Sequence, residues 1–362
     1  MKIAFLSSLL VAVLAMADDW PIFRGGQGLR GVAEGQIASP LRLHWRAKLG
    51  KGACSSPVVA AGKVYASTAT GALLALDLAS GKTLWESKFG ASTEAPPLVR
   101  ENRVYVGNDD GAFVAFDASN GKTLWTFKTE DRIKGSANWV MAGKTPAVVV
   151  GSYDMFLYCL DAANGKLLWK LETDNYVNGT PSVTAKRVAF GGCDGQFRQI
   201  DAASGRVERA TDAESYIPGC AALADGSAFF GQVEGEVRRL DLAKGSIAWT
   251  NKDAKDGVFA APAIGRNLVL IGSRDRKLHA LDRATGIRKW HFRTGGEVDG
   301  GAVVCGDRVV FASGDGRLYL LELATGRKLW SYDLGSAVAP SPAVADGWVI
   351  VGTDDGTVYA FR

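Results

Sequence analysis

The sequence predicts an all-β fold, an eight-bladed β-propeller of four-stranded antiparallel blades, closed by an N-terminal strand that completes the C-terminal blade. Three observations predict it. One short phrase recurs at a fixed interval, each interval holds four short apolar runs bounded by turn residues, and the two ends of the chain each carry part of one further unit.

The phrase is LDLASGKTLW at 76–85, FDASNGKTLW at 116–125 and LDAANGKLLW at 160–169, and it continues as IDAASGRVER (200–209), LDLAKGSIAW (240–249), LDRATGIRKW (281–290) and LELATGRKLW (321–330). Its acidic residue falls at Asp77, Asp117, Asp161, Asp201, Asp241, Asp282 and Glu322. A period of about 40 residues marks a propeller or a solenoid. Within blade 2 the runs APPLV, RVYVG, AFVAFD and TLWTFK are too short for helices and read as strands.

The turns support the same reading. The second and third runs meet at Asp110-Gly111, Asp194-Gly195, Asp315-Gly316 and Asp355-Gly356, with Thr70-Gly71 and Glu234-Gly235 in blades 1 and 5. Glycine there supplies the positive φ that a right-twisting hairpin needs. The third and fourth runs meet at the Asp-x-x-Ser/Asn/Thr-Gly segment, where the carboxylate can bond nearby backbone amides. Trp85, Trp125, Trp169, Trp249, Trp290 and Trp330 close the phrases. A ligand needs one stacking platform rather than one per blade, so these rings are expected to pack between neighbouring blades.

The ends settle the blade count. An eighth unit starts at Pro342 and stops at Arg362 before a fourth strand, while Leu41 to Trp45 carries the tryptophan of a fourth strand with no first three before it. The two should form one composite blade, which removes exposed sheet edges. Ahead of this lie two segments. Residues 1–17 combine Lys2, an apolar run from Ile3 to Ala15 and the small-x-small site ending at Ala17, and read as a secretory signal peptide cleaved near Ala17. Residues 18–40 form a lead-in to the propeller at 41–362. The apolar run is shorter than the roughly 20 residues of a membrane span, so no transmembrane segment is expected. The first cysteine is Cys54, so no lipid anchor is expected either.

Charge is interspersed, with 42 Lys and Arg against 38 Asp and Glu, and gives no nucleic-acid footprint. Cys54, Cys159, Cys193, Cys220 and Cys305 show no metal or haem spacing. Cys193 and Cys220 are the best-placed pair for a disulfide; the alternative is five small buried residues. The starts of the innermost strands should line the channel, and there Cys54, Phe259 and the polar Glu94, Lys134, Asn178 and Asp299 are candidates for a channel-mouth site or for simple solvation of a wet channel. Three histidines in outer or third strands offer no hydrolase triad.

Blades 4 and 5 depart from the repeat. Arg209 stands where other phrases have Trp, and Gln199 and Arg239 replace the small apolar residue two before the Asp. With Arg198, Arg238 and Tyr216 they form a candidate partner surface; the alternative is repeat drift, with long side chains snorkelling to solvent. The blade 3 excursion from Lys134 to Thr145, with Trp139, is a second candidate surface.

The AxDxxTGKxxW phrase, as in Ala115 to Trp125 and Ala280 to Trp290, resembles the pyrroloquinoline-quinone (PQQ) propeller repeat over residues 41–362, and Asp19 to Gly25 is similar to the W-P-x-F-R-G lead-in of BamB-like secreted propellers. The resemblance implies one of two functions. The first is a non-catalytic periplasmic or secreted scaffold that binds an envelope protein or an extended peptide, without cofactor, and aids outer-membrane protein assembly. The second is a small quinoprotein oxidoreductase acting on alcohols or sugars with PQQ and calcium. The even spacing leaves no room for the insertions and adjacent cysteines that such dehydrogenases carry, so the scaffold is expected.

Overall fold

The computed structural model describes residues 18–362; the expected signal peptide lies outside the described residues. Eight sheets follow one another around a ring. In blade 1 the strands run Val58–Ala60, Lys63–Ser67, Ala72–Asp77 and Thr83–Lys88 from the channel outwards, each antiparallel to the next. The same order recurs in blades 2 to 7. In blade 8 Leu43–Lys48 pairs with the C-terminal Thr357–Phe361, so the composite blade forms as expected. Blade 7 gains a fifth strand, since Val32–Ala33 of the lead-in pairs parallel with its innermost strand Val303–Cys305. No helix among the described residues is long and apolar enough to cross a membrane.

Burial follows radial position. Second and third strands such as Arg103–Gly107 and Ala112–Asp117 are buried along most of their length, whereas outer strands such as Thr123–Lys128 alternate between exposed and half-buried. An outer strand has a neighbouring blade on one face and water on the other, so alternation is what its pleat requires. A bulge interrupts every pairing of third and fourth strands beside the phrase tryptophan, or beside Arg209 in blade 4, including the composite blade. The local kink re-aims that side chain towards the next blade.

There it forms a latch. The indole N–H of Trp45, Trp85, Trp125, Trp169, Trp249 and Trp290 donates, over 2.9–3.2 Å, to the backbone carbonyls of Leu78, Ala118, Ala162, Ala202, Arg283 and Leu323, one in each following phrase. Each ring also covers the phrase glycine of that blade. A Cβ on Gly81, Gly165, Gly205, Gly286 or Gly326 would come within 2.5–2.6 Å of the ring, and these glycines hold φ near +70°. Glycine is therefore required there twice over, by conformation and by contact. Trp330 has no phrase beyond it and packs on Phe361 instead.

All five cysteines are free thiols, Cys193 half-buried and the others buried, so the disulfide considered between Cys193 and Cys220 does not form. Burial raises Cys54, Cys159 and Cys220 to about 12, which keeps these thiols protonated and unreactive.

Candidate functional site

The channel is closed at one end by the chain's own lead-in. We call that end the lower face; it carries the turns between first and second strands and the phrase turns. Trp20 exchanges backbone hydrogen bonds with Val59 of blade 1, and the Pro21 carbonyl accepts from Val99 of blade 2. Gln27 accepts from the Asn138 side chain and from Val183, Gly28 from Leu223, Arg30 from Ile264 and Gly31 from Val304, which carries the segment past blades 3 to 7. The innermost strands would otherwise present these N–H groups unpaired to the channel, a cost that the lead-in removes. Arg24 sits at the centre of this plug, 1% exposed, with Nη2 donating to Pro262 O and Ala302 O. Its Nε and Nη1 find no acceptor among the described residues, and burial lowers its pKa to about 10. Gly301 is small of necessity, since a Cβ there would lie 2.5 Å from Nη1.

Above the plug, with Phe23 in its lining, a cavity of about 510 Å³ opens at the upper face. Glu94, Lys134, Asn178, Asp299, Cys54 and Phe259 all line it, as do Arg274 and Asp354. Its rim is polarised. Blades 7, 8 and 2 contribute Asp299, Asp354 and Glu94, while blades 4 and 5 contribute Asn178 and Pro218 beneath the exposed rings of Tyr176 and Tyr216. The cations stand between the two sectors. Lys134 Nζ reaches Asp109 at 3.0 Å and Glu94 at 3.3 Å; Arg274 bonds Asp299 at 3.0 Å and lies 3.8 Å over the Phe259 ring. Asn178 accepts from Tyr153 Oη at 3.0 Å and donates to Pro218 O at 2.8 Å. Asp354 has no cation and is pushed above the usual carboxylate range, first by burial and then by Glu94 and Asp299 across the mouth.

A calcium ion takes six to eight oxygen ligands, as a dehydrogenase with bound quinone would require. Here Glu94 and Asp299 are each held by a cation, and the Asn178 amide oxygen already serves as the acceptor for Tyr153. No cluster of three or more metal-ligating His, Cys, Asp or Glu occurs among the described residues. The residues at this mouth do not fit that ion.

Arg198, Gln199 and Arg238 of the irregular blades 4 and 5 turn inwards rather than joining an exposed patch. Arg198 and Arg238 are buried and ion-paired, Arg198 with Asp194 at 2.6 Å and Arg238 with Glu236 and Glu214 at 2.6 and 2.7 Å. Neither snorkels to solvent, because Asp194 and Glu236 in the turns before their own strands meet the guanidinium groups, and Glu214, just after the outer strand of blade 4, also reaches Arg238. Arg239 donates to Ser227 Oγ at 3.0 Å. Gln199 and Arg209 together replace the missing latch: Gln199 Nε2 donates at 3.0 Å to Leu242 O, the carbonyl equivalent to those that take the indoles, and Arg209 Nη1 donates at 3.0 Å to Lys244 O while its stem covers Gly245. Tyr216, at 52%, and Arg209 are the exposed members of this set. Trp139 is half-covered, with the Arg100 guanidinium 4.0 Å over its ring and its carbonyl accepting from Gln27.

Sequence reasoning passed over Arg24, Arg274 and Asp354. The last two occupy the second position of the turn between second and third strands, as do Asp109 and Tyr153, which bond the mouth residues Lys134 and Asn178. A signal was present in the repeat alignment of Ala69, Asp109, Tyr153, Cys193, Val233, Arg274, Gly314 and Asp354. Arg24 gave none, since its partners are backbone atoms far along the chain.

The fold is shared with solved propellers. BamB from Moraxella catarrhalis superposes with a TM-score of 0.74 at 17% identity, covering 89% of this chain and 97% of that one. The computationally designed Ika8 protein gives 0.77 at 18%, over 92% and 99%. Quinohemoprotein alcohol dehydrogenase from Comamonas testosteroni gives 0.81 at 15%, over 95% of this chain and 80% of that one. At such identities the likeness concerns the fold alone. No curated protein matches the sequence. A family described as outer membrane protein assembly factor BamB matches residues 42–251, 209–299 and 274–362, and the chain belongs to that family.

Proposed function

We propose that this protein is a non-catalytic, exported scaffold that works through protein–protein contacts in outer-membrane protein assembly. The observation that carries the reading is the BamB family match along 42–362 combined with a channel whose lower end is filled by the chain's own Trp20 to Gly31. A channel closed by backbone pairing and lined above by the ion pairs of Lys134 and Arg274 leaves its faces, not its interior, as the larger binding surface. The lone signal-like segment at 1–17 supports export.

The test is affinity capture with the purified mature chain from a solubilised native envelope. The expected result is recovery of an outer-membrane β-barrel or of the machinery that inserts one. The alternative is a small quinoprotein oxidoreductase. Dye-linked oxidation of an alcohol or sugar after adding PQQ with calcium, together with a bound chromophore, would overturn the scaffold reading.

A further inference from the structure

The missing tryptophan of blade 4 leaves a groove. At six interfaces an indole fills the space between one outer strand and the next phrase turn; at the interface of blades 4 and 5 the thinner Arg209 and Gln199 take its hydrogen-bonding places but not its volume. Two adjoining cavities of about 310 and 530 Å³ open there, sharing Arg187, Gln199, Leu242 and Ala243. The floor is apolar, with Ala189, Leu223 and Leu242 among its lining. A third cavity of about 340 Å³ shares Ala224 and Asp225 with the first and continues across the lower face to the lead-in at Arg30 and Val32. These sizes lie within or near the roughly 300–1,000 Å³ of ligand sites.

The charge along this run is one-sided. Arg187, Arg206, Arg209, Arg30, Arg266 and Arg283 line it, against Glu208 and Asp225. Glu208 is taken by Arg187 at 2.5 Å and Asp225 by Arg283 at 2.9 Å. Arg30, Arg206, Arg209 and Arg266 are exposed and have no carboxylate partner among the described residues. Unneutralised cations beside an apolar recess suit a partner that brings negative charge and an apolar side chain together.

We infer that the lower-face groove from blade 4 to blade 6 binds an extended, acidic segment of another polypeptide, which seats one aromatic side chain in the place that tryptophan occupies at the six latched interfaces. The inference rests on the scaffold reading and names the chemistry of its partner. The recess has internal precedent, because the same backbone frame accommodates an indole six times in this chain. Aromatic anchors in pockets, ringed by arginine, are the usual carriers of interface affinity.

The experiment uses the mature chain and a short synthetic peptide with one Trp flanked by Asp and Glu. Its controls are the same peptide with Trp→Ala and one with the acids exchanged for Lys. The acidic aromatic peptide is expected to bind, to weaken with salt, and to lose about tenfold in affinity, or about 1.4 kcal/mol, when the Trp is removed. The double substitution Gln199→Ala with Arg209→Trp restores the pattern of the other blades; it should raise the melting temperature while abolishing peptide binding. Arg206→Glu with Arg266→Glu touches no packed side chain and should weaken the acidic peptide while leaving the melting temperature unchanged, which keeps the test open if the first variant misfolds. Equal binding of the Lys peptide, or undiminished binding by either folded variant, would overturn the groove. Envelope capture that persists under those results would leave the scaffold reading standing, and its failure alone would not touch the peptide result.

Discussion

Two interfaces of the same ring, blade 2 on blade 3 and blade 4 on blade 5, share a backbone frame and differ in what fills it. Trp125 spans the first with one side chain that supplies volume, a ring over Gly165 and an N–H for Ala162 O. At the second the tasks are divided: Gln199 provides the N–H, Arg209 lies over Gly245, and the volume is left unfilled. The difference teaches that hydrogen bonding and packing are separable in this repeat, and that the chain conserves the first while giving up the second.

Substitution can break the comparison most sharply at the tryptophan. Trp125→Ala is expected to cost about 3 kcal/mol, the low end for a large aromatic because the ring is half-exposed, whereas Arg209→Ala should cost under about 1 kcal/mol. Urea or thermal unfolding of the two variants measures both, and equal losses would show that the interfaces are held by something other than the latch. The glycines come next. Gly165→Ala drives a Cβ to 2.5 Å from the Trp125 ring at φ +74° and should cost about 2–3 kcal/mol, while Gly245→Ala at φ +68° meets only a movable arginine stem and should cost about 1 kcal/mol, the backbone part alone. Melting temperatures that fall equally would remove the contact from the argument.

The smallest effect should not distinguish the interfaces at all. Asp77, Asp117, Asp201, Asp241, Asp282 and Glu322 are held below the ordinary carboxylate range by hydroxyl and backbone N–H donors of their own turns. A carboxylate with a depressed folded pKa contributes stability that is fully present above its unfolded value, about 4, and is lost as pH falls through the folded one. Stability should therefore be level from neutral pH down to about 4–5 and decline below that. Asp117→Asn and Asp201→Asn should flatten the decline by similar small amounts, as followed by urea midpoints across that pH range. A larger change at Asp201 would mean that the unlatched interface also leans on its turn.

Much of this was legible in the sequence because the repeat encodes local chemistry. The period gave the blades, the unpaired Trp45 strand gave the closure, and the phrase tryptophans gave the packing between blades. The four polar channel residues line one cavity because each sits at one fixed register of its blade. What escaped was burial and the contacts between blades. Arg198 and Arg238 looked like surface charge although Asp194 and Glu236 lie only four and two residues away, because spacing alone does not show that these pairs are buried; Glu214 reaches Arg238 from 24 residues away. Gln199 and Arg209 read as a partner surface or as drift because the carbonyls they serve, Leu242 and Lys244, belong to the next blade. The lead-in carried a family-like motif but no sign of where it packs, and only its geometry reveals it as a plug.

That plug binds the beginning of the chain to its end: Arg24 and Ala302 meet across 278 positions of sequence. During synthesis the segment emerges before every blade it pairs with, yet its acceptors at Pro262 and Ala302 come 238 and 278 residues later, so the ring's floor is assembled only after most of the blades are present. Contacts of such span make for slow, late consolidation. A nascent chain lacking its final blades would carry the Arg24 guanidinium unburied and the inner edges of the early blades unpaired, and that is the form a quality-control protease or chaperone would distinguish from the finished molecule.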